Sequence, residues 1–481
     1  MALQIAQAPL TYANSAGQFS FTPVGQQLMF TVSSDTIVST KYNVKFVADV
    51  YISNQSINLS NTNKRIGTFR TTPNNAGVGI FDLRPVIETF VKADNDGSTL
   101  WNGSRYKQLE VPHPIHLIDQ YAGSENGMRY MAVNFYVEYS DDVSSRMITS
   151  DPEPSAEYVI FNGVLQYDNP LTLHEGNYGF NMLEPANLQY TTLAGGFLSN
   201  APTTQYARVN DYGTFPFINF AGGNNLTNIV LTYYWSGGSS TETITNNWAN
   251  GGLNTNSVYV YKHLLYFGGF PANLQNWSST FATAVGNGLT HYTIQGNTTD
   301  IKTAANLASE IYTINIICAD NEGYNRGYES IRLGWLNQWG AWDYYTFNMK
   351  SIRSIDTKRV PYTQQGGTWN ESTFKIKGWK GGKKNFRVNS TEKIKINTDF
   401  VTEAEGVWFE ELINSPEVYI IEDFQLDTGN YISPSTTITY KYVKPVTLTT
   451  SSYIKKTVAN DKLMQYTFEI EKSRMKRTQA I

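Results

Sequence analysis

The sequence predicts a mainly β protein built from several antiparallel sandwiches, Ig-like or related, with a few short helices. Three observations lead there. Aromatic residues nearly match charged ones, 14% against 16%, and 32 of them are tyrosines, a usage suited to pleated, half-buried faces. Several stretches alternate apolar and polar side chains with a period of two. Asn, Gly, Ser and Asp gather between those stretches, where tight turns need them.

The elements follow in chain order. In KYNVKFVADVYI, 41–52, Tyr42, Val44, Phe46, Ala48, Val50 and Ile52 share one parity, and Asn43, Lys45 and Asp49 take the other. That is a half-buried strand. Pro85 opens a short helix after Asp82, with Val86, Ile87, Phe90 and Val91 as its apolar face. The strand pattern returns in RYMAVNFYVEY, 129–139, where Met131, Val133, Phe135 and Val137 alternate with Ala132, Asn134, Tyr136 and Glu138 before a polar SDD turn. In RLGWLNQWGAWDYYTF, 332–347, two strands flank a turn over residues 337–341 around Gly340, which makes a β-hairpin carrying three tryptophans. Thr402 and Glu405 have the spacing of a capping box and precede a helix with Val407, Trp408, Glu411 and Leu412, which NSPEVYIIEDF ends. Past an Asn460-Asp461 turn, Met464, Tyr466, Phe468 and Ile470 alternate with Gln465, Thr467 and Glu469. This is the last strand.

Two breaks divide the chain: DPEPS at 151–155, and TQQGGTWNES from 363, where lysine becomes frequent. They imply an N-terminal sandwich domain over 1–150, a central β region with the aromatic hairpin over 151–362, and a lysine-rich C-terminal β domain with one short helix over 363–481. A chain of 481 residues has room for more than one core.

Charge and cysteine usage narrow the function classes. With 37 basic and 41 acidic residues the net charge is -4, which gives no overall field for capturing nucleic acid. The single cysteine, Cys318, excludes a disulfide framework within the chain and fits a reducing cytosol. MALQIAQAPL lacks the charged and apolar regions of a signal peptide, and apolar runs such as IYTINIICA fall well short of the ~20 residues a spanning helix needs. The expectation is a soluble chain with no membrane insertion and no glycan on the sequons at Asn58 and Asn102.

A catalytic constellation is not evident in the sequence. His113 and His116 flank Pro114, so they lie on an extended chain with their side chains on opposite faces. The other histidines, His174, His263 and His291, stand apart. There is no GxSxG elbow, and Cys318 sits in an apolar strand where a thiol is usually inert packing. Glu410 and Glu411 are helix neighbours that do not converge, and Asp343 stands singly among the tryptophans. The expectation is no enzyme, no metal and no cofactor.

FKIKGWKGGKKNFRVNSTEKIK, 374–395, interleaves Phe374, Trp379 and Phe386 with Lys375, Lys377, Lys380, Lys383, Lys384, Arg387, Lys393 and Lys395. Single-stranded nucleic acids are held by such cations and rings. Lysine alternating with apolar residues is also how edge strands resist aggregation, and acids from 403 to 423 follow closely. Gly381-Gly382-Lys383 lacks the first glycine and the hydroxyl of a P-loop. No nucleic-acid partner is expected.

In the aromatic hairpin Trp342, Tyr344 and Thr346 fall on one face and Asp343, Tyr345 and Phe347 on the other. Two aromatic faces are most economically explained if one joins the core and the other meets a second subunit, which nominates Trp335, Trp339, Trp342, Tyr344 and Tyr345 as an interface. Lys383 and Lys384, with Arg474, Lys476 and Arg477 of the basic end EKSRMKRTQAI, are the candidate electrostatic contact with an acidic neighbour.

KFVADVYI and RIGTFRTTPNNAGVGIFDLRPVIETFV, with FLSNAPTTQYARVNDYGTFPFIN at 197–219, HLLYFGGFPANL at 263–274, IRLGWLNQWGAWDYYTF at 331–347, WFEELINSPEVYII and NDKLMQYTFEIEKSRMKR, span nearly the whole chain. Together they resemble a family of virion structural proteins of tailed bacteriophages. The resemblance implies a multidomain β protein of the tail or its distal, baseplate-like end, assembled in the host cytoplasm. Its partners would be further copies of itself and other virion structural proteins. A carbohydrate-binding receptor-recognition protein, with a host surface glycan as partner and tryptophans exposed in a groove, is one alternative; a head-associated capsid or decoration protein is another. A glycan hydrolase would instead need two carboxyls about 5 to 9.5 Å apart in such a groove.

Overall fold

The computed structural model describes residues 3–9, 12–13, 20–25, 28–59, 62–93, 120–124, 126–164, 197–218, 226–246, 264–299, 306–317, 328–369, 371–421, 425–426, 438–439, 443–454, 456, 464–473 and 476–477. The protein is mainly β, with several antiparallel sheets and five short α-helices among the described residues. It divides into two compact units. One comprises 1–318, 336–344 and 423–442, and the other 319–335, 345–422 and 443–481.

The first unit begins with a sandwich. Gln4–Gln7, Met29–Ser33 and Val78–Asp82 form a small antiparallel sheet. A larger sheet runs in the order Tyr12–Ala13, Ser20–Pro23, Tyr158–Phe161, Met128–Ser140, Tyr42–Ser53 and Arg65–Thr71. The alternation read in the two long strands sets the packing: Phe46, Ala48, Val50 and Ile52 meet Met131, Val133, Phe135 and Val137 in one core with Phe30, Val32 and Phe81.

Two details depart from simple alternation. Burial is continuous from Phe46 to Ile52, so Asp49, on the polar parity, is only 6% exposed. A buried carboxylate needs partners, and Asp49 has Arg65 at 2.9 Å and the Thr68 hydroxyl. Near the strand's start the register shifts between Tyr42 and Lys45, with Asn43 at φ +52°, and Tyr42 is left exposed. The helix at Pro85 spans Arg84–Ile87 and continues as a 3-10 turn, Glu88–Phe90. Its buried residues are Leu83, Ile87 and Val91 at a spacing of four, whereas Val86 is half-buried and Phe90 exposed. That corrects the expected apolar face.

A third sheet of this unit runs Thr204–Arg208, Tyr312–Ile317, Leu289–Thr299, Asn228–Trp235 and Gly238–Thr245, with its first two strands parallel. Helices Pro271–Trp277 and Ser279–Gly286 follow one another, and Phe281 packs edge-on against Tyr233 and Tyr292 of the sheet.

Neither expected boundary separates domains. Tyr158–Phe161, beyond residue 150, pairs with Met128–Ser140 on one side and runs parallel to Ser20–Pro23 on the other. Tyr121–Gly123, before it, pairs with Leu264–Phe267. Ile352–Gln364, which runs through residue 363, and Gly382–Asn397 beyond it are partners in one ladder. At the first of these breaks Glu153–Pro154 itself pairs with Phe135 and Asn134, and beyond both breaks the chain returns to sheets already begun.

The second unit is built on a sheet in the order Ile331–Leu336, Val418–Ile421, Val443–Leu448, Thr467–Lys472, Gly382–Asn397 and Ile352–Gln364. Helix Glu403–Asn414 carries the full capping box: the Thr402 hydroxyl accepts from the Glu405 amide at 3.2 Å, and the Glu405 carboxylate accepts from the Thr402 amide at 2.8 Å. Trp408, Phe409 and Leu412 face inward. Phe409 packs on Phe468, which is buried with Tyr466 and Ile470 as the alternation predicts.

Candidate interaction site

The aromatic hairpin forms as read, from Ile331–Leu336 and Trp342–Phe347. Asn337 holds its turn: the side-chain oxygen accepts from the amides of Trp339 and Ala341, both at 3.1 Å, and the side-chain nitrogen donates to the Leu198 carbonyl at 2.9 Å. Gly340 is required there. Its φ is +72°, and a Cβ would lie 1.9 Å from the Asn162 carbonyl oxygen.

The hairpin's rings, however, are used inside the chain. Trp335 and Trp342 are fully buried, Trp339 and Tyr344 nearly so, and Tyr345 is half-buried. In the first unit the Tyr344 hydroxyl bonds Thr214 at 2.9 Å and its ring packs edge-on against Phe270. In the second, Trp335 lies 4.9 Å from Trp408, and Tyr345 meets Phe409 and Phe347. The expected subunit interface at Trp335, Trp339, Trp342, Tyr344 and Tyr345 is thereby corrected. Rings already buried have little area to give a partner, and none is laid out as a sugar platform.

Exposed aromatic surface lies elsewhere. Ile352–Gln364 and Gly382–Asn397 form a long ribbon, paired from Ile352 opposite Lys395 to Gln364 opposite Gly382 with one register shift between Val360 and Pro361. Thr467–Lys472 supports residues 393–397, and Lys476–Arg477 pairs with Asn389 and Ser390. Beyond that the described residues supply no third strand. Residues 358–364 and 382–388 therefore run about 24 Å as a bare two-stranded ribbon, at ~3.4 Å per residue.

The root of the ribbon is held by ion pairs. Glu392 accepts from Arg353 at 2.7 Å and from Lys472 at 2.8 Å, Arg353 also binds Glu329, and Lys393 pairs with Asp356 at 3.1 Å. Burial alone would raise the Glu392 carboxyl, but Lys472 and Arg353 outweigh it and hold the group below its ordinary value.

The tip is ordered by its own contacts. The Thr368 hydroxyl accepts from the Lys375 amide at 2.8 Å and donates to the Thr373 carbonyl at 3.0 Å. The Trp369 indole donates to the Gly366 carbonyl at 2.6 Å, and its ring lies 4.9 Å from Phe374. Yet Trp369 is 68% exposed, Phe374 52%, Ile376 83%, Trp379 73% and Phe386 74%. Several large apolar side chains exposed on one hairpin, two of them in contact, are the kind of surface that marks a site of interaction.

The charge is equally one-sided. Between 358 and 388 stand Lys358, Arg359, Lys375, Lys377, Lys380, Lys383, Lys384 and Arg387, against Glu371 alone, which pairs with Lys377 at 3.3 Å. Eight bases and one acid give the tip a surplus of +7 within a chain of net -4, so the remainder carries -11. Lys384 stands opposite Tyr362, and Lys383 opposite Thr363. Arg474 lies outside the described residues. Lys476 and Arg477 reach the same sheet, but near the root.

Sequence reasoning placed the lysines here and missed Trp369 and Ile376. The missing signal was a strand, Ile352–Gln364, that is exposed along nearly its whole length. Its apolar residues Ile352, Ile355, Val360 and Tyr362 do not share a parity.

The remaining candidates contribute no second site. His113, His116, His174, His263 and Cys318 lie outside the described residues. His291 stacks on Tyr234 at 4.6 Å and its Nδ1 hydrogen-bonds the Thr290 hydroxyl at 3.0 Å. Among the described residues no group of three His, Cys, Asp or Glu could hold a metal ion, and no helix is long and apolar enough to cross a membrane. Neither a protein-family model nor a curated protein matches the chain.

Proposed function

We propose that this chain is a structural component of a tailed bacteriophage virion, a tail or distal-tail protein that self-assembles symmetrically and binds neighbouring virion proteins. The sequence resemblance suggests the setting. The observation that carries the reading is the ribbon tip, where rings of the kind that dominate protein interfaces stand open on a frame fixed by its own hydrogen bonds. Order in the free state lowers the entropy lost on docking, and the lysines steer the tip toward an acidic surface. The role is one of binding rather than catalysis.

The test is the mass of the purified protein over a range of concentrations, by light scattering coupled to size exclusion, with negative-stain imaging of each peak. Closed rings or tubes are expected. They should disappear when residues 365–381 are replaced by a two-residue Asn-Gly turn between Gln364 and Gly382, which can close such a ribbon, while the circular dichroism stays that of a β protein. A monomer at every concentration that binds a glycan array, and loses that binding on Trp379→Ala, would overturn this reading in favour of receptor recognition.

A further inference from the structure

Resting on that assembly reading, we infer that the ribbon tip docks on a second copy of this chain, at the outer face of helix Glu403–Asn414. The first argument is charge. Lys395 is followed by no base until Lys441, and the acids between them include Asp399, Glu403, Glu405 and Glu410. A copy that presents a +7 tip therefore also carries an acidic region made by the next stretch of its own sequence.

The second argument is apolar complementarity. On the outer face of the helix Val407 is 57% exposed, between Glu403 and Glu410 at helical spacing, and Phe400 just before the helix is 51% exposed. Apolar groups rimmed by acids are the counterpart of rings rimmed by lysines. The contact would bury Trp379 and Ile376 against Val407 and Phe400, with Lys383 and Lys384 toward Glu403 and Glu410.

Third, both surfaces are open on the same copy. The tip rings and Val407 keep their exposure, and the bare ribbon extends about 24 Å past its last supporting strand. Two different patches, each present once per copy, make a head-to-tail contact, which closes into a ring or propagates as a filament.

The test is a charge exchange in the full chain. One variant carries Lys383→Glu and Lys384→Glu, the other Glu403→Lys and Glu410→Lys, and association is followed by sedimentation velocity at ~0.15 M salt. Each variant alone should associate more weakly than wild type by on the order of tenfold or more, the scale of losing close charge pairs at an interface. An equimolar mixture should recover, because positions 383 and 384 of each variant then face positions 403 and 410 of opposite charge on the other. Circular dichroism and a thermal melt establish that both variants fold.

Wild-type assembly that is indifferent to the helix variant would overturn this docking and leave the assembly reading standing. So would a mixture of folded variants that fails to recover. A wild type that stays monomeric also overturns it, and incorporation of labelled protein into particles then decides the structural role separately. Salt-sensitive binding of a single-stranded oligonucleotide, lost in the tip variant and kept in the helix variant, would reassign the tip to nucleic acid.

Discussion

Two β-hairpins of this chain are rich in tryptophan, and they end in opposite places. Between 332 and 347 the flanking charges are Arg332 and Asp343; both are buried, Arg332 donating to the Thr346 hydroxyl at 2.8 Å and Asp343 lying 3.3 Å from the Asn337 amide. Between 358 and 388 eight bases stand among the rings, and those rings are exposed. Aromatic content is similar in kind. The difference is the number of charged groups that would have to leave water with the rings: two hydrogen-bonded side chains can be buried with a core, whereas a row of ammonium groups cannot. Charge density around aromatic residues therefore separates a core hairpin from an exposed one better than the aromatics themselves do.

The contrast should break most clearly at Trp335. Trp335→Ala removes a fully buried ring from its contact with Trp408, and the expected loss is about 3–5 kcal/mol in denaturant unfolding. A loss under about 1 kcal/mol would show that the hairpin is not core. A smaller effect is expected at the root of the ribbon. Because the folded Glu392 carboxyl is held below its ordinary 4.5, its contribution is present above that pH and lost as pH falls through the lower folded value. Thermal melts of wild type and Glu392→Gln should thus differ at neutral pH and converge below 4.5. A gap that stays constant with pH would remove the ion pairs from the account of the root. The smallest effect on stability is expected at the tip, where Trp379→Ala should stay within about 0.5 kcal/mol of wild type. The same variant should weaken assembly by tenfold or more, as hot-spot residues do. If Trp379→Ala instead destabilised the fold as Trp335→Ala does, the two hairpins would not be different in kind.

Much of the scaffold was legible in the sequence. The alternation in 464–470 placed the inward residues correctly because that strand has one face on a core, that in 129–139 found Met131, Val133, Phe135 and Val137 but not the burial of Tyr130, Ala132 and Asn134 on the other face, and the box at Thr402 and Glu405 set a helix start through local hydrogen bonds alone. What could not be read was non-local. Nothing near Tyr158–Phe161 indicates that it pairs in parallel with Ser20–Pro23, more than a hundred residues earlier. Asp49 reads as a solvent-facing residue until its partners Arg65 and Thr68 are brought alongside by the neighbouring strand. The rings of the 332–347 hairpin were read as half open for the same reason, since sequence counts rings but does not show what lies over them.

The chain enters and leaves its two units more than once, and that has a consequence for the order of synthesis. The first unit takes in 1–318 and 336–344, then needs 423–442. A ribosome working at about 5 to 20 residues per second adds the roughly one hundred residues between 344 and 442 over some 5 to 20 seconds. Throughout that interval the ribbon and the capped helix emerge, and the second unit that carries them also takes in 443–481, so the parts proposed to recruit another copy are synthesised before either unit is complete.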